Sequence, residues 1–552
     1  MKPYKIGLAL ASAGVLAAAA GCKNFFDVNV NPLSPVSVGL YSLLPVTQVS
    51  MAENLGNNIG GLSQYTMALM QQLYNTRNIG NFQQTGDSFT GPWAGLYRGV
   101  LVNNELIITQ GTQEQRWDYV GIAQLQKAYV VSQMVDLWGD IPYSEALRGA
   151  ANPAPRFDRD EDIYNGTSSI QGLFTLIDEG LANLAKTGVL PTSPVLSSVD
   201  LVYRGSGNIE KWARFGRTLK LKLYNQLRKT KSAAEVQNLV RPLLNAPGSL
   251  MQEGEDFQLT YSGTVNPDNR HPGYAADYSA NPENRIGRYF YEDMFRNNDP
   301  RIPYYFYHQV GRGAPPVTQQ DYVSSLDPRF VTVRPGSSGP FVSSASTANF
   351  QTIQGLYPVG GRYDDGIGGK NTQNPGKAKA PQRLLTYYSR KYIEAELQLT
   401  VFNDAAAARI ALRQALYASF HKVNTIAAED GSPVMDTTRT SAAGRYILAA
   451  LGRYNTAPNT DEKLEVIMYE KYVASFGYGV DVYTDFRRTQ HPRIRVSQQV
   501  ANPSRGLLPD DGATQGNGVF PRRLFYPIND LLLNPNSPGS QRDPNAPIFW
   551  DR

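Results

Sequence analysis

Residues 112–143 read TQEQRWDYVGIAQLQKAYVVSQMVDLWGDIPY, and their pattern predicts a helix with a defined start and end. Apolar and small side chains recur at three- and four-residue steps, as they do on one face of an α-helix. These side chains are Trp117, Gly121, Leu125, Ala128, Val131, Val135 and Trp138. Thr112–Gln115 fits a capping box that would begin the helix, and Gly139 with Pro142 would end it.

The same periodicity predicts helices along much of the remaining chain. In the first half they cover about residues 55–74, 87–108, 170–188, 208–227 and 233–244. Asp87 and Asn208 are the expected N-caps of two of them, and residues 168–171 form a second capping box. In the second half, apolar stripes fall at about residues 385–399, 408–420, 442–451 and 464–476. We therefore predict a mainly α fold of antiparallel helix pairs, at about residues 46–248 and 382–497.

The composition changes between these two sets of helices. Pro, Gly, Asn, Ser and Tyr dominate residues 249–381, and helical periodicity fades apart from a turn near residues 288–296. So long an irregular stretch is unusual inside a compact domain unless its loops have a function. We predict a loop-rich insertion here and an irregular tail at residues 498–552, with residues 46–552 forming a single domain.

The N-terminus has the pattern of an export signal. Lys2 and Lys5 precede an apolar run of 15 residues, Ile6–Ala20, which is shorter than the roughly 20 residues that span a bilayer. Small residues lead to Gly21 and then to Cys22, the only cysteine in the chain. The pattern looks like a bacterial lipoprotein box, with residues 1–21 removed, Cys22 lipidated and residues 22–45 forming an extended tether. The alternative is an ordinary secretory signal with a cysteine there by chance.

Composition excludes some classes of function. The formal net charge is only +5 and the basic residues are dispersed, so nothing favours a nucleic-acid partner. One cysteine allows no intramolecular disulfide, so stability must come from packing. The chain also contains 33 Tyr, 21 Phe and 5 Trp, and these rings must serve either a core or a ligand-binding surface.

The aromatic residues of the insertion are the strongest candidates for a ligand site. Tyrosine offers a rigid face with a polar end, suited to sugar rings or peptide side chains, and arginine can bind carboxylates or hydroxyls. The alternative for each ring is packing beneath a loop, whereas Trp117, Trp138 and Trp212 lie on helical stripes and are expected in the core. The predicted ligand-binding residues are Tyr274, Tyr278, Tyr289, Tyr304, Tyr305, Tyr357, Arg362 and Tyr363.

Catalytic and metal-binding patterns are not found in the sequence. A hydrolase needs a nucleophile, a base and an orienting acid, but the chain has four histidines and no Gly-x-Ser-x-Gly motif. Of these, we expect His421 on the surface and His491 in a structural role. Asp364 and Asp365 lie in the glycine-rich stretch 360–371 and are a weak calcium candidate, the alternative being a flexible turn. We predict no catalytic residue and no other cofactor, and we expect Arg487 and Arg488 to bond loop carbonyls.

Several segments together resemble the SusD/RagB-like nutrient-binding outer-membrane lipoproteins of Bacteroidetes, most closely their divergent second subgroup. The segments are Cys22–Pro32, Trp93-x3-Tyr97 with Asn103-Asn104, Asp136–Tyr143, Lys211–Leu223, Asn298–Arg301, Leu384–Thr386 before Ala395-Glu396, Tyr483–Thr489 and Pro521–Pro527. The chain departs from the pattern at Ala19, at Ser389-Arg390, and in lacking an acidic run after Cys22.

The resemblance implies a TPR-like helical-pair scaffold whose loop-rich face carries the ligand site. It also implies a SusC-like TonB-dependent outer-membrane barrel as the partner, on which the lipoprotein forms a lid. The leading hypothesis is thus a non-catalytic, lipid-anchored, cell-surface protein that binds an oligosaccharide or a peptide. The alternatives are a surface glycosidase or esterase, whose carboxylate pair could not be recognised from sequence, and a TPR-like scaffold without a small ligand.

Overall fold

The computed structural model describes residues 38–75, 84–186, 196–205, 207–318, 321–333, 347–373, 375–493 and 520–551. The predicted signal and Cys22 lie outside these residues. The N-terminal half is mainly helical, and two short π-helical segments, Ala52–Gly56 and Leu96–Leu101, extend its helices. The helices are α1 (Leu40–Met51), α2 (Leu62–Leu69), α3 (Thr90–Gly95), α4 (Val102–Gln113), α5 (Trp117–Trp138), α6 (Asp160–Asn165), α7 (Leu173–Leu184), α8 (Leu196–Val199), α9 (Asn208–Gln226) and α10 (Ala233–Leu244).

Several predicted helix starts are wrong. Thr112 lies in the last turn of α4, where its hydroxyl donates to the carbonyl of Ile108, so it caps no helix. The box at residues 168–171 fails because α7 begins only at Leu173, after Gly172. The Thr167 hydroxyl instead accepts hydrogen bonds from the next turn.

Three further boundaries differ from the prediction. Asp87 is not an N-cap, because α3 begins at Thr90. Asn208 is the first residue of α9, and Gly207 takes the cap position with a φ of 73°. Helix α1 begins at Leu40, so the predicted tether ends earlier than residue 45. The buried side chains of α1 include Leu40, Leu43 and Leu44, and this burial is the physical reason why the segment is helical.

The N-terminal helices pack as successive neighbours: α4 against α5, α5 against α7, and α7 against α9. Gly121 and Gly180 allow the close approach of α5 and α7, since a Cβ at Gly121 would lie 2.7 Å from the Gly180 carbonyl oxygen. Trp138 and Trp212 are fully buried, as predicted. Trp117 is only partly buried, and the Lys186 ammonium lies 3.6 Å from its ring centre, so it is not a core residue.

The insertion consists of short elements joined by loops. The turn predicted near residues 288–296 is a nine-residue helix. The short strands of the described residues, of which β1, β2, β3 and β10 lie outside the insertion, are β1 (Leu73–Asn75), β2 (Ile141–Pro142), β3 (Phe157–Asp158), β4 (Phe257–Leu259), β5 (Asn284–Ile286), β6 (Phe306–Tyr307), β7 (Tyr322–Val323), β8 (Val331–Thr332), β9 (Ile353–Gln354) and β10 (Gln382–Leu385). Antiparallel pairs form between β1 and β5, β2 and β3, β4 and β10, β6 and β9, and β7 and β8. The helices are α11 (Pro272–Asp277), α12 (Arg288–Arg296), α13 (Ile302–Tyr305) and α14 (Leu356–Val359).

The C-terminal half returns to long helices. The first four each have a capping side chain that accepts a hydrogen bond from the first turn. The caps are Thr386, Asp404, Ser441 and Asn459. The helices are α15 (Tyr387–Thr400), α16 (Ala405–Asp430), α17 (Ala442–Thr456), α18 (Thr460–Ala474), α19 (Gly479–Thr489) and α20 (Ile528–Leu533). Helices α15 and α16 pack against each other, as do α17 and α18.

Helix α19 packs against α2 and joins the two halves. Arg487 donates to the carbonyls of Arg522 and Asp136, as predicted. Arg488 does not follow that prediction, because it pairs with the carboxylates of Glu396 and Asp485.

The segment after residue 519 returns to helix α5. The indole of Trp138 donates to the Phe525 carbonyl at 2.9 Å, and the indole of Trp550 donates to Asp136 at 2.9 Å. The largest hydrophobic cluster runs from Leu40 to Trp550 and so includes both ends of the described chain. The mainly helical prediction and the TPR-like arrangement are confirmed.

Candidate functional site

Two of the predicted ligand-binding tyrosines belong to the core. The rings of Tyr305 and Tyr357 stack with their centres 4.8 Å apart, and Phe476 lies 5.6 Å from Tyr305. Both tyrosines are fully buried. Neither ring therefore presents a face to a ligand, which corrects the prediction for these two residues.

Tyr274 and Tyr278 form a second stacked pair, at the end of the short helix α11. Their ring centres are 4.8 Å apart and their planes differ by 9°. The N-cap of this helix is His271, whose Nδ1 accepts a hydrogen bond from the Gly273 backbone. The Tyr278 hydroxyl donates to the Gln354 carbonyl and accepts from the backbone N–H of Arg362 at 2.6 Å. Both tyrosines are largely buried.

Arg362 lies beside this pair. Its guanidinium carbon is 4.8 Å from the centre of the Tyr307 ring, and its Nη1 donates to the Tyr307 hydroxyl at 2.9 Å. Its Nη2 donates to Asp365 at 3.1 Å. The backbone requires Gly361 here, because a Cβ at that position would overlap the Tyr278 hydroxyl. The guanidinium is thus held in place at the edge of the aromatic cluster.

Tyr304 and Tyr363 continue the same surface. Their ring centres are 4.9 Å apart in an edge-to-face arrangement, and the Tyr304 hydroxyl donates to the Pro433 carbonyl. Tyr363 is partly exposed. We call the following set the aromatic ledge: Tyr274, Tyr278, Tyr304, Tyr307, Arg362 and Tyr363. Tyr307 is fully buried and supports Arg362, and within the set only Arg362 and Tyr363 are more than marginally exposed. Tyr289 lies on another element, α12, where its ring is partly exposed and the Arg288 guanidinium lies 5.3 Å from it.

Asp364 and Asp365 act as counter-ions within the protein, and a calcium ion at these residues stays a prediction. Asp364 accepts from Arg329 at 3.0 Å, from His308 at 2.8 Å and from the Gly366 backbone at 3.1 Å. Burial alone would raise the pKa of Asp364, but His308 and Arg329 lower it below its usual value. Across the described residues, no cluster of three or more His, Cys, Asp or Glu side chains could hold a metal ion.

Further side chains of this ionic network connect the surrounding loops to one another. The Nε2 of His308 lies 2.9 Å from the Tyr291 hydroxyl, which donates to Asp327 at 2.7 Å. Arg329 bridges Asp327 and Asp364, so the loops around residues 304–312, 321–333 and 347–373 are connected. A buried, ion-paired network of this kind holds loop geometry in place.

The remaining histidines occupy the expected environments. His421 is exposed on α16, with its Nδ1 2.5 Å from Glu253. His491 is buried and contacts both Glu465 and Asp461.

The sequence reasoning missed a cavity of about 470 Å³ beside α3. Trp93 and Tyr97 line it with their rings 5.1 Å apart, and Phe157 stacks on Trp93. Arg98 and Asp530 supply its charges. Only the spacing Trp93-x3-Tyr97 could have indicated this cavity from the local sequence. Phe157 and Asp530, which also line it, lie far from these two residues along the chain.

Comparison with known proteins identifies the family. A family model, described as "Starch-binding associating with outer membrane", matches residues 32–527. The chain belongs to the second SusD-like family. The predicted resemblance is therefore confirmed, and the family description associates its members with starch binding and with the outer membrane. No curated protein matches the chain significantly.

Solved structures of SusD-like proteins share this fold. A SusD/RagB family protein from Bacteroides thetaiotaomicron is 20% identical, with a TM-score of 0.65 over 93% of this chain and 99% of that one. A SusD homologue from Bacteroides uniformis is 18% identical, with a TM-score of 0.64 over 92% and 99%. A structure described as a chitin-binding protein is 18% identical, with a TM-score of 0.65 over 93% and 100%. At such identities the likeness establishes the fold alone.

Proposed function

We propose that this SusD-like protein is a non-catalytic, lipid-anchored binding protein on the outer face of the outer membrane. It captures a nutrient, either an oligosaccharide or a peptide, and passes it to a SusC-like TonB-dependent barrel, on which it forms a lid. The observation that carries this proposal is the family match over residues 32–527, together with the lipoprotein pattern that ends at Cys22.

The aromatic ledge is the proposed ligand-contacting surface. It combines the partly exposed ring of Tyr363 with the positioned guanidinium of Arg362, the groups that suit a hydroxylated or carboxylate-bearing ligand. The hydrogen bonds of Tyr278, Tyr304 and Arg362 hold these groups in place before any ligand arrives. Such preorganisation lowers the entropic cost of binding.

The proposed anchor is a lipid on Cys22. No helix within the described residues is long and apolar enough to cross a bilayer. Two or more acyl chains on one residue suffice for stable attachment to a membrane. A Cys22→Ser variant should therefore leave the membrane fraction and carry no acyl chain. A Cys22→Ser variant that stays acylated and membrane-bound would contradict the proposal that a lipid on Cys22 anchors the protein.

The partner is tested by purification from the bacterium that makes the protein. We expect a large TonB-dependent barrel to co-purify with the tagged full-length chain under mild detergent. Recovery of the chain without any such barrel, at both low and moderate salt, would refute the proposal that the protein forms a lid on a barrel. The ligand class is tested by titration with maltoheptaose, chitohexaose and a tryptic casein peptide pool, and failure of all three would refute capture of these nutrient classes.

A further inference from the structure

Helix α16 carries a groove that is separate from the aromatic ledge. It has a volume of about 540 Å³ and lies between the exposed face of α16, the first residue of α15 and the segment before β4. On α16, residues 413, 417, 421 and 424 line it. Their spacing of three and four residues places them on one face of the helix, over roughly 16 Å. We call this feature the α16 groove.

The end of the α16 groove is structurally fixed. The side-chain amide of Asn424 donates to the Met435 carbonyl at 2.8 Å and accepts from the Met435 backbone N–H at 2.7 Å. These two bonds hold the segment that carries Thr437, a residue that also lines the groove. The backbone at this end of the groove is therefore held by the fold.

Polar groups in the α16 groove are left without protein partners. Within the described chain, the side chains of Arg413 and Gln414 and the hydroxyls of Tyr387 and Tyr417 take part in no ion pair or hydrogen bond. Tyr417 is 42% exposed, which is unusual for a tyrosine of this protein. Unpaired donors beside two aromatic rings in a concave surface are the features of a saccharide-sized site.

One cation of the groove is open to an anionic ligand. Arg413 is exposed and forms no ion pair within the described residues, and its planar guanidinium can bind a carboxylate with two hydrogen bonds. Glu253, a carboxylate that lines the same groove, contacts His421 at 2.5 Å. Near Tyr387, Arg390 and Lys391 are buried and pair with Glu394, at 2.6 Å and 2.9 Å, so they do not line the groove.

We infer that the α16 groove is a second carbohydrate site, which takes an oligosaccharide bearing uronate carboxylates. Arg413 binds the carboxylate, and Tyr417 and Tyr387 contact the apolar faces of the sugar rings. The inference does not rest on the proposed function, because the groove shares no residue with the aromatic ledge.

The test uses the full-length protein in detergent, titrated calorimetrically with trigalacturonate and with maltotriose, a neutral trisaccharide. We expect trigalacturonate to bind, maltotriose to bind at least about tenfold more weakly, and added salt to weaken only the former. Arg413→Ala and Tyr417→Ala should each weaken trigalacturonate binding by about fivefold or more. Arg409→Ala is the matched control, since Arg409 lies one turn earlier on α16 and donates to Asn455.

Each outcome decides the inference. Absence of trigalacturonate binding, equal binding of maltotriose, or an unaltered affinity of Arg413→Ala would overturn it. Both substituted residues are exposed, so loss of folding is not expected, and an unchanged melting temperature verifies this. Barrel co-purification is measured on the same variants. It should be unchanged, so that failure of this inference and failure of the proposed function are distinguishable.

Discussion

Arg301 and Asp299 form an ion pair in which both side chains are completely buried, with 2.6 Å between Nη2 and Oδ2. The same guanidinium donates to the hydroxyls of Ser419 and Tyr446 and pairs with Glu470. A residue of the loop-rich insertion is thereby joined to α16, α17 and α18. The Asn-Asp-Pro-Arg segment thus has a structural role in connecting the insertion to the C-terminal helices.

Replacing Arg301 by Ala should strongly destabilise the protein. Two buried carboxylates, Asp299 and Glu470, would lose a cation, and breaking a buried pair in this way costs about 3–5 kcal/mol. The expected result is a clear fall in the melting temperature, measured by circular dichroism. Arg270→Ala is the control, because the Arg270–Asp268 pair lies at the surface, where water screens it and its contribution to stability is small. Equal effects of the two substitutions would contradict this account.

Tyr305→Phe should leave ligand binding unchanged and should not lower the melting temperature. The Tyr305 hydroxyl is buried, and no hydrogen-bond partner for it is found among the described residues. Removing a buried polar group that is unsatisfied is neutral or stabilising, by up to about 1 kcal/mol. Reduced affinity of this variant for a nutrient probe would indicate that Tyr305 contributes to ligand binding after all.

Tyr363→Ala tests the aromatic ledge itself. The ring is partly exposed and packs edge-to-face on Tyr304. We expect at least about fivefold weaker binding of whichever probe (maltoheptaose, chitohexaose or the peptide pool) binds best, because aromatic anchors carry more than 1 kcal/mol. Tyr289→Ala is the matched control, since Tyr289 is also partly exposed but lies on α12. Equal losses of affinity in both variants would argue against the aromatic ledge as the ligand-contacting surface.

Ser232→Ala and Ser168→Ala distinguish a real helix cap from an apparent one. Ser232 and Glu235 form a complete capping box at the start of α10, so the first substitution should cost about 1 kcal/mol. Ser168 is exposed and caps no helix, so its loss should change stability by less than about 0.5 kcal/mol. Thermal denaturation of both variants gives the comparison, and a larger effect at Ser168 would contradict the structure.

His491 should make stability depend on pH above neutrality. Burial alone would lower the pKa of His491, but Glu465 and Asp461 raise it above its usual value of 6.5. The protonated form therefore stabilises the fold below about pH 6.5, and this contribution is lost as the pH rises through the folded-state pKa.

The melting temperature of the wild-type protein should consequently fall between about pH 6 and about pH 9 by more than that of a His491→Gln variant. Arg493 faces the same carboxylates but stays charged throughout this range. If the melting temperatures of the two proteins change with pH in parallel, His491 does not contribute to the pH dependence of stability.

Sequence patterns predicted helices best where the polar face is also the exposed face. Helix α10 was located correctly because its apolar residues recur on one face, where Val236 and Val240 are buried. Helix α19 was not predicted. Every residue from Gly479 to Thr489 is buried, although Asp481, Asp485 and Arg488 are charged, because these side chains form ion pairs inside the protein. The box at residues 112–115 failed because a threonine near a helix end can equally bond back to the preceding turn.

Sequence composition did not predict which tyrosines of the insertion are buried and which are exposed. Tyr305 and Tyr363 occur in stretches of similar composition, yet one stacks on Tyr357 in the core and the other lies at the surface. That difference arises from contacts between distant segments, which local composition does not encode. The α16 groove is likewise assembled from Glu253, Tyr387 and Tyr417, which no single motif connects.

The return of the C-terminal segment to α5 sets the order in which this protein can finish folding. Trp138 and Asp136 receive their partners, Phe525 and Trp550, from a segment 387 and 414 residues later in the chain. The growing chain can form its helix pairs early, but the largest hydrophobic cluster of the described residues remains open until this later segment has been synthesised. A prematurely terminated chain would expose indole and carboxylate groups that are buried in the complete protein, which makes it a substrate for chaperones and proteases.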